Sequence, residues 1–270
     1  MIKNLNRAKS NGHLKPPLKW AGGKRWLVPY LQPLWEINSS RRLVEPFCGG
    51  LSVSLGLMPD RALLNDLNPH LINLFNKIKD GLTLEMHLEN NRDLYYSYRK
   101  KFNNMILEGR HHSVEAAELF YYLNRTGYNG LCRFNRKGLF NVPFGRYKKI
   151  NYRCDFKPYA EMFESWSFMA GDFEGIDVEE DDFIYADPPY DVEFTQYSGI
   201  TFTWNDQVRL GKWLAGHRGP VVISNQATER VIDLYSGLGF KLRYLDGPRR
   251  ISCNGERAPA KEVFAIKGMS

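Results

Sequence analysis

Short apolar runs alternate with amphipathic stretches along most of the chain. Phe183 to Ala186 and Pro220 to Asn225 lack polar alternation, the pattern of strands buried on both faces of a parallel-type sheet. Arg42 to Glu45 and Ala62 to Asn65 read as two further short strands, and Ser167 to Phe173 as a strand and turn. Between them lie stretches with helical apolar spacing. Helices are predicted from Lys24 to Leu34, over Leu51 to Leu55, and from Asn68-Pro69, which serve as N-cap and first residue. Leu71, Ile72, Leu74, Phe75 and Ile78 give this last helix its apolar face, and Gly81 ends it. Leu84 to Leu107, Trp204 to Ala215 and Ile232 to Leu238 also read as helices. Phe240 to Leu245 and Glu262 to Ile266 are expected to pair as a terminal hairpin. A βαβα rhythm is thus interrupted and then resumed.

The Phe183 run stops at Asp187-Pro188-Pro189-Tyr190. Proline has no ladder donor and holds the residue before it in extended geometry, which fixes Asp187 at the strand's carboxyl end. Ligands of open α/β sheets sit at that end. Asp187 and the Pro188 carbonyl can accept hydrogen bonds from an amine while Tyr190 stacks on its ring, an arrangement suited to a planar amino-bearing substrate. A strand, a Pro-Pro turn and a surface tyrosine is the plainer reading of the same residues.

Two glycine pairs precede it. Phe47-Cys48-Gly49-Gly50-Leu51-Ser52 follows a strand as in nucleotide-type cofactor loops, without the full G-x-G-x-x-G, and Asp66 follows where an acidic residue can hold a ribose. Trp20-Ala21-Gly22-Gly23-Lys24 lets a ligand approach the backbone, with Lys24 able to meet a carboxylate; a turn capping the next helix explains these glycines equally well.

Composition adds a distinct segment. The formal charge is +7, and between Leu119 and Cys154 there are eight basic residues and no acidic ones, interleaved with Phe120, Tyr121, Tyr122, Tyr128, Phe134, Phe140, Phe144 and Tyr147. That pattern suits phosphate contacts with base stacking or wedging; the bland reading is a solvated basic face over an aromatic core. Asn124 to Arg146 carries four glycines and a proline and reads as hairpin and loop. Arg249 to Lys261 forms a second basic loop, and residues 1–14 a loose arm. The four cysteines are far apart, which argues against zinc, and nothing resembles a signal peptide or membrane span, so a cytoplasmic protein is expected.

Taken in order, Leu18-Lys19-Trp20-Ala21-Gly22-Gly23-Lys24, Glu45-Pro46-Phe47, Asp66, Tyr122 to Arg133, Asn141 to Lys149, Asp187-Pro188-Pro189-Tyr190, Ile223-Ser224-Asn225 and Arg249 to Gly255 resemble the DNA adenine methyltransferases of the Dam family. Leu51 departs from the family's usual second spaced glycine, as in phage-encoded members. The resemblance implies an α/β, Rossmann-like seven-stranded sheet (residues 15–75 and 155–270) that binds S-adenosylmethionine. It also implies an inserted, mostly helical target-recognition domain with a β-hairpin (76–154), double-stranded DNA as partner, no metal, and a monomer.

By the same resemblance Trp20, Lys24, Phe47, Asp66 and Asp187 hold the cofactor, with Asp172 and Phe173 near its adenine. Asp187, Pro188 and Tyr190 act on a flipped-out adenine. Lys19, Leu131, Arg133 and Pro143 read GATC, Tyr128 wedges with Asn129 beside it, and Arg125, Arg146, Tyr147, Lys148, Arg249 and Asn254 grip the DNA. Methylation of RNA or of a protein glutamine, and a DNA-binding module without catalysis, are the rival readings. Asp rather than Asn before the prolines opposes the glutamine option.

Overall fold

The structure is a computed structural model that describes residues 14–190, 202–247 and 260–269. Most of the basic loop, with Arg249 and Asn254, and nearly all of the amino-terminal arm lie outside the described residues.

A 3-10 turn at Arg25–Leu27 leads into α1 (Val28–Glu36), then β1 (Leu43–Glu45), α2 (Ser54–Leu57), β2 (Ala62–Asp66) and α3 (Pro69–Lys79). The chain continues through α4 (Arg92–Leu107), α5 (Val114–Thr126), α6 (Lys157–Phe163), β3 (Trp166–Ala170) and β4 (Phe183–Ala186). It closes with α7 (Trp204–Gly216), β5 (Val221–Gln226), α8 (Glu229–Gly237), β6 (Lys241–Gly247) and β7 (Ala260–Lys267). The described strands form one seven-stranded sheet in the order β3-β2-β1-β4-β5-β7-β6. β7 runs antiparallel to β5 and β6, and the other pairings are parallel. This is a doubly wound α/β sheet of Rossmann type, closed at one edge by the expected terminal hairpin.

The runs without polar alternation follow from burial on both faces. Leu43, Leu64, Phe183, Tyr185, Val222, Phe264 and Ile266 point into the larger core, under α1 to α6. Their neighbours Val44, Leu63, Ile184, Ala186, Val221, Ile223, Val263 and Ala265 point into the smaller core, under α7 and α8. Period-two side-chain alternation thus feeds two apolar layers.

Caps set several helix starts. Asn68 accepts from the amides of His70 and Leu71, at 3.0 and 3.3 Å, and a capping box of Thr203 and Asp206 opens α7. Three local expectations are corrected. α2 begins at Ser54 rather than Leu51, because Leu51 takes a left-handed φ of 64°. α4 begins at Arg92 rather than Leu84: Asn91 caps it, while Glu85 donates its amide to Glu118 at 2.7 Å instead of entering a helix. The hairpin expected within 124–146 makes no ladder, only antiparallel bridges at Gly127–Phe144 and Phe134–Phe140 among the described residues. Backbone bonds from Asn135 to the Leu139 carbonyl at 2.9 Å and from Asn141 to the Arg133 carbonyl at 3.1 Å flank the second bridge, and Asn135 Oδ1 also accepts from the amides of Lys137 and Leu139.

A division between residues 75 and 76 falls inside α3, and α4 and α5 share one core with the sheet's helices. His70 on α3 helps to join them, stacked on Phe134 at 4.9 Å and edge-on to Phe102. Burial, assisted by His111 and His112, pushes His70 down to about 4.

Candidate active site

The order in which the chain adds strands reverses between the parallel neighbours β1 and β4, and the turns leaving those two strands make one rim. Asn65 braces it by donating to the carbonyls of Pro46 at 3.0 Å and Gly171 at 2.9 Å. Asp66 accepts from the amides of Gly49 at 3.1 Å and Asn68 at 2.9 Å, which locks the glycine loop to the end of β2. Burial pushes the Asp66 carboxyl up to about 6 against those two donors. Trp20 lies on the same loop: a Cβ on Gly49 would stand 2.7 Å from its Nε1, and one on Gly50 2.7 Å from its Cβ. The glycines therefore serve the packing of Trp20 directly.

Asp187 is the centre of the rim. Lys24 Nζ reaches its Oδ1 at 2.8 Å and Oδ2 at 3.1 Å, and Ser224 Oγ donates to Oδ1 at 2.9 Å. Tyr185, wholly buried beneath, meets Ser224 Oγ at 2.8 Å; since Ser224 gives its proton to Asp187, Tyr185 donates. Burial raises Asp187 above the usual carboxylate range, opposed by Lys24 and Ser224. Lys24 also lies 4.6 Å from the centroid of the Tyr190 ring. Gln207 of α7 donates to the Pro189 carbonyl at 2.7 Å and is itself held by Asn225 at 3.1 Å. No described residue donates to the Pro188 carbonyl, which leaves it available as an acceptor. Glu45, at the end of β1, is buried, and burial pushes its carboxyl up to about 8.

Sequence reasoning singled out Asp187, Tyr190 and Lys24 but gave no role to Ser224, Gln207 or Glu262. A signal for Ser224 was present: β5 pairs with β4 at Ala186–Ile223, which sets the next residues, Asp187 and Ser224, side by side. Ser224→Ala is expected to cut kcat about tenfold and to lower stability by roughly 1–3 kcal/mol, because the buried Tyr185 hydroxyl loses its acceptor. Steady-state kinetics and thermal melts check both, and unchanged kcat would exclude Ser224 as the brace of Asp187.

The other expected residues divide. Phe47 and Phe173 come together, 5.8 Å between centroids, with Phe202 5.6 Å from Phe47. The Asp172 carboxylate is taken by Arg209, at 2.8 and 2.7 Å, and those bonds lower its pKa. Tyr128 is 50% exposed, and Asn129 beside it adopts φ 52°. Arg146, Lys148 and Pro143 are exposed and Leu131 half-buried. Arg133 gives its Nε to Asn141 at 2.8 Å and keeps Nη1.

Lys19 is committed internally: its Nζ donates to the Arg125 carbonyl at 3.0 Å and lies 3.6 Å from the Tyr147 ring centroid. Burial and Arg125 lower Lys19 to about 8. Arg125 donates to the Asn151 carbonyl and Tyr147 to the Gly127 carbonyl, so both brace the segment. The aromatic stripe of the basic segment is corrected as well. Phe120, Tyr121, Tyr122 and Phe140 are core residues at 0–1% exposure, which removes them as stacking surfaces.

Comparison with known proteins shows the family. Residues 20–251 match the model of the D12 class N6 adenine-specific DNA methyltransferases. A DNA adenine methylase of Vibrio cholerae is 38% identical, over 92% of this chain and 94% of its own. Those of Haemophilus influenzae, 36% identical over 94% of each chain, and Escherichia coli K12, 35% identical over 92% and 94%, are similar too. Among the described residues no helix is long and apolar enough to cross a membrane, and no group of acidic, histidine and cysteine side chains could hold a metal ion. The chain belongs to the D12 class N6 adenine-specific DNA methyltransferases.

Proposed function

We propose that this adenine-specific DNA methyltransferase methylates N6 of an adenine rotated out of a double helix, within GATC, with S-adenosylmethionine as donor. The observation that carries the reading is the convergence of Asp187, the Pro188 carbonyl and Tyr190 at the rim between β1 and β4, with Lys24 and Ser224 fixing the carboxylate. The site residues suit a cationic donor, since Asp66 and Asp187 both bring carboxyl groups to the rim. Trp20 and Phe47 would cover the donor's apolar parts, and Asp66, largely but not wholly buried, keeps lone pairs for ribose hydroxyls. Asp172 reaches the donor only by sharing its carboxylate with Arg209, so Phe173 is the better-placed neighbour for an adenine ring.

An adenine amine is a weak nucleophile because its lone pair is delocalised into the ring. Asp187 and the Pro188 carbonyl accept its two N–H groups and so favour a tetrahedral nitrogen whose lone pair is free. Oδ1 is occupied by Lys24 and Ser224, whereas Oδ2 meets Lys24 alone and keeps a lone pair, so Asp187 accepts from the amine through Oδ2 while still held. When bound, S-adenosylmethionine supplies a sulfonium methyl together with its leaving group. The nitrogen then sheds one proton, which Asp187 passes to solvent. Tyr190 holds the base by stacking, and extrusion is needed because N6 is hidden in the duplex.

Residues between α3 and α6 form the proposed recognition unit. Tyr128, half-exposed, would serve as the wedge. The free Nη1 of Arg133 is suited to a guanine edge, and Arg146 and Lys148 to phosphates. Lys19 and Tyr147 enter as a cation–ring brace that sets the unit's angle, and Lys19 can reach a base only by leaving it.

Transfer of labelled methyl to two duplexes differing only in GATC or a scrambled site tests the reading. Labelling of GATC alone is expected. Arg133→Ala should cost about 1–3 kcal/mol of discrimination at one base pair, whereas Lys148→Ala should weaken both duplexes alike and reduce the salt slope by about one. The reverse pattern would sink the recognition assignment.

A further inference from the structure

Glu262 is a carboxyl group without a role in the reaction as described above, yet it sits in the site. It lies on β7 opposite Gln226 of β5 and Leu245 of β6, at the rim, and only 6% of it is exposed. The Tyr190 hydroxyl donates to its Oε1 at 2.5 Å. Its Oε2 is buried without a hydrogen-bond partner among the described residues. Gly247 leaves space for the carboxylate: a Cβ there would stand 3.0 Å from Oε1 and 3.2 Å from Trp26.

A buried carboxyl with one unpaired oxygen is costly, and a hydrophobic side chain would fill the position more cheaply. Here it faces a tyrosine at the end of a Pro-Pro turn whose backbone is held through Gln207 at Pro189. The ring of Tyr190 is gripped at two points, by the hydroxyl bond to Glu262 and by the Lys24 ammonium at 4.6 Å. The first fixes the far end of the ring and the second its face, so the plane of the ring is set before a base arrives. Prepositioning of this kind raises kcat rather than affinity.

We propose that Glu262 is a positioning residue for methyl transfer, the acceptor that anchors Tyr190 in the plane on which the target adenine stacks. The assignment rests on the reading of Tyr190 as the stacking residue. It ties the turn after β4 to the antiparallel strand β7, so the terminal hairpin takes part in the geometry of the reaction.

The test measures methyl transfer to GATC duplex by Tyr190→Ala, Tyr190→Phe, Glu262→Leu, Glu262→Gln and the Tyr190→Phe/Glu262→Leu double variant. Tyr190→Phe keeps the ring but loses the donor, so kcat should fall about tenfold with KM for the donor within about twofold. Glu262→Leu should do the same, the double variant should be no slower than the slower single, and Glu262→Gln, which keeps an acceptor oxygen, should recover most of the rate. Independent, multiplying losses in the double variant would overturn the proposal, as would full kcat in Tyr190→Phe, a result that stands even if Glu262→Leu fails to fold. Full activity in Tyr190→Ala would instead overturn the stacking reading itself. Loss in Tyr190→Ala without coupling between the other two would remove Glu262 alone.

Discussion

Asp187→Asn is expected to reduce methyl transfer about a hundredfold, and Asp187→Ala about a thousandfold, with duplex affinity changed by no more than a few-fold. A preorganised group aimed at developing charge is worth roughly two to three decades when removed. Alanine removes the acceptor for the amine, whereas asparagine keeps one acceptor oxygen but offers an NH2 group toward the Lys24 ammonium. The basic residues proposed to bind DNA make no bond to Asp187 among the described residues, so affinity should hold. The alanine variant carries a second expected effect. It leaves Lys24, 5% exposed, without its 2.8 Å partner, and breaking a buried ion pair by removing one member costs roughly 3–5 kcal/mol. A lower Tm is thus expected in Asp187→Ala and should be largely restored in Asp187→Ala/Lys24→Met, while activity stays lost in both. Rapid-quench assays with excess enzyme separate chemistry from product release. Single-turnover rates within about threefold of the parent protein in both variants would exclude Asp187 as the acceptor.

Much of this site could be read from the chain because its determinants are local. The apolar run that ends in two prolines fixes both a strand and the pose of its next residue, and Asn68-Pro69 writes a helix start into two positions. The alternation of Phe183, Ile184, Tyr185 and Ala186 between two cores needed only a sheet covered on both sides. What stayed hidden depends on register and partner choice. Ser224 and Glu262 come from strands distant in sequence, and only the pairing of β5 with β4 and β7 brings them to Asp187 and Tyr190. Lys19 carries a positive charge in a basic sequence, but packing against Tyr147 turns it inward. The aromatic stripe misled for the same reason: α5 is buried on most sides, so its Phe120, Tyr121 and Tyr122 are core. Leu51 shows a local rule yielding to packing, since a leucine at φ 64° accepts a strain of about 1–2 kcal/mol where glycine accepts none, and its complete burial offsets that cost.

The glycine loop supplies the second large effect. Gly49→Ala is expected to weaken binding of S-adenosylmethionine at least tenfold, because one methyl group acts at three points. At φ 45° an alanine is strained by about 1–2 kcal/mol. Its Cβ would stand 2.7 Å from Trp20 Nε1 and 3.0 Å from Cδ1, too close for the ring to remain. The Gly49 amide that donates to Asp66 at 3.1 Å would shift with the backbone, and Asp66 would lose one of the two amides that orient it. Gly81→Ala separates these terms. It is equally left-handed, at φ 90°, but a Cβ there meets nothing within 4 Å, so it should lower Tm by the backbone term alone and leave donor affinity intact. Titration calorimetry with S-adenosylmethionine and thermal melts of the two variants give both numbers. If Gly49→Ala binds the donor within about twofold of the parent protein, Trp20 is not part of the donor site, and its packing on the loop is only structural. If both variants lose affinity in proportion to lost stability, the loop acts through the fold and not through the ring it carries.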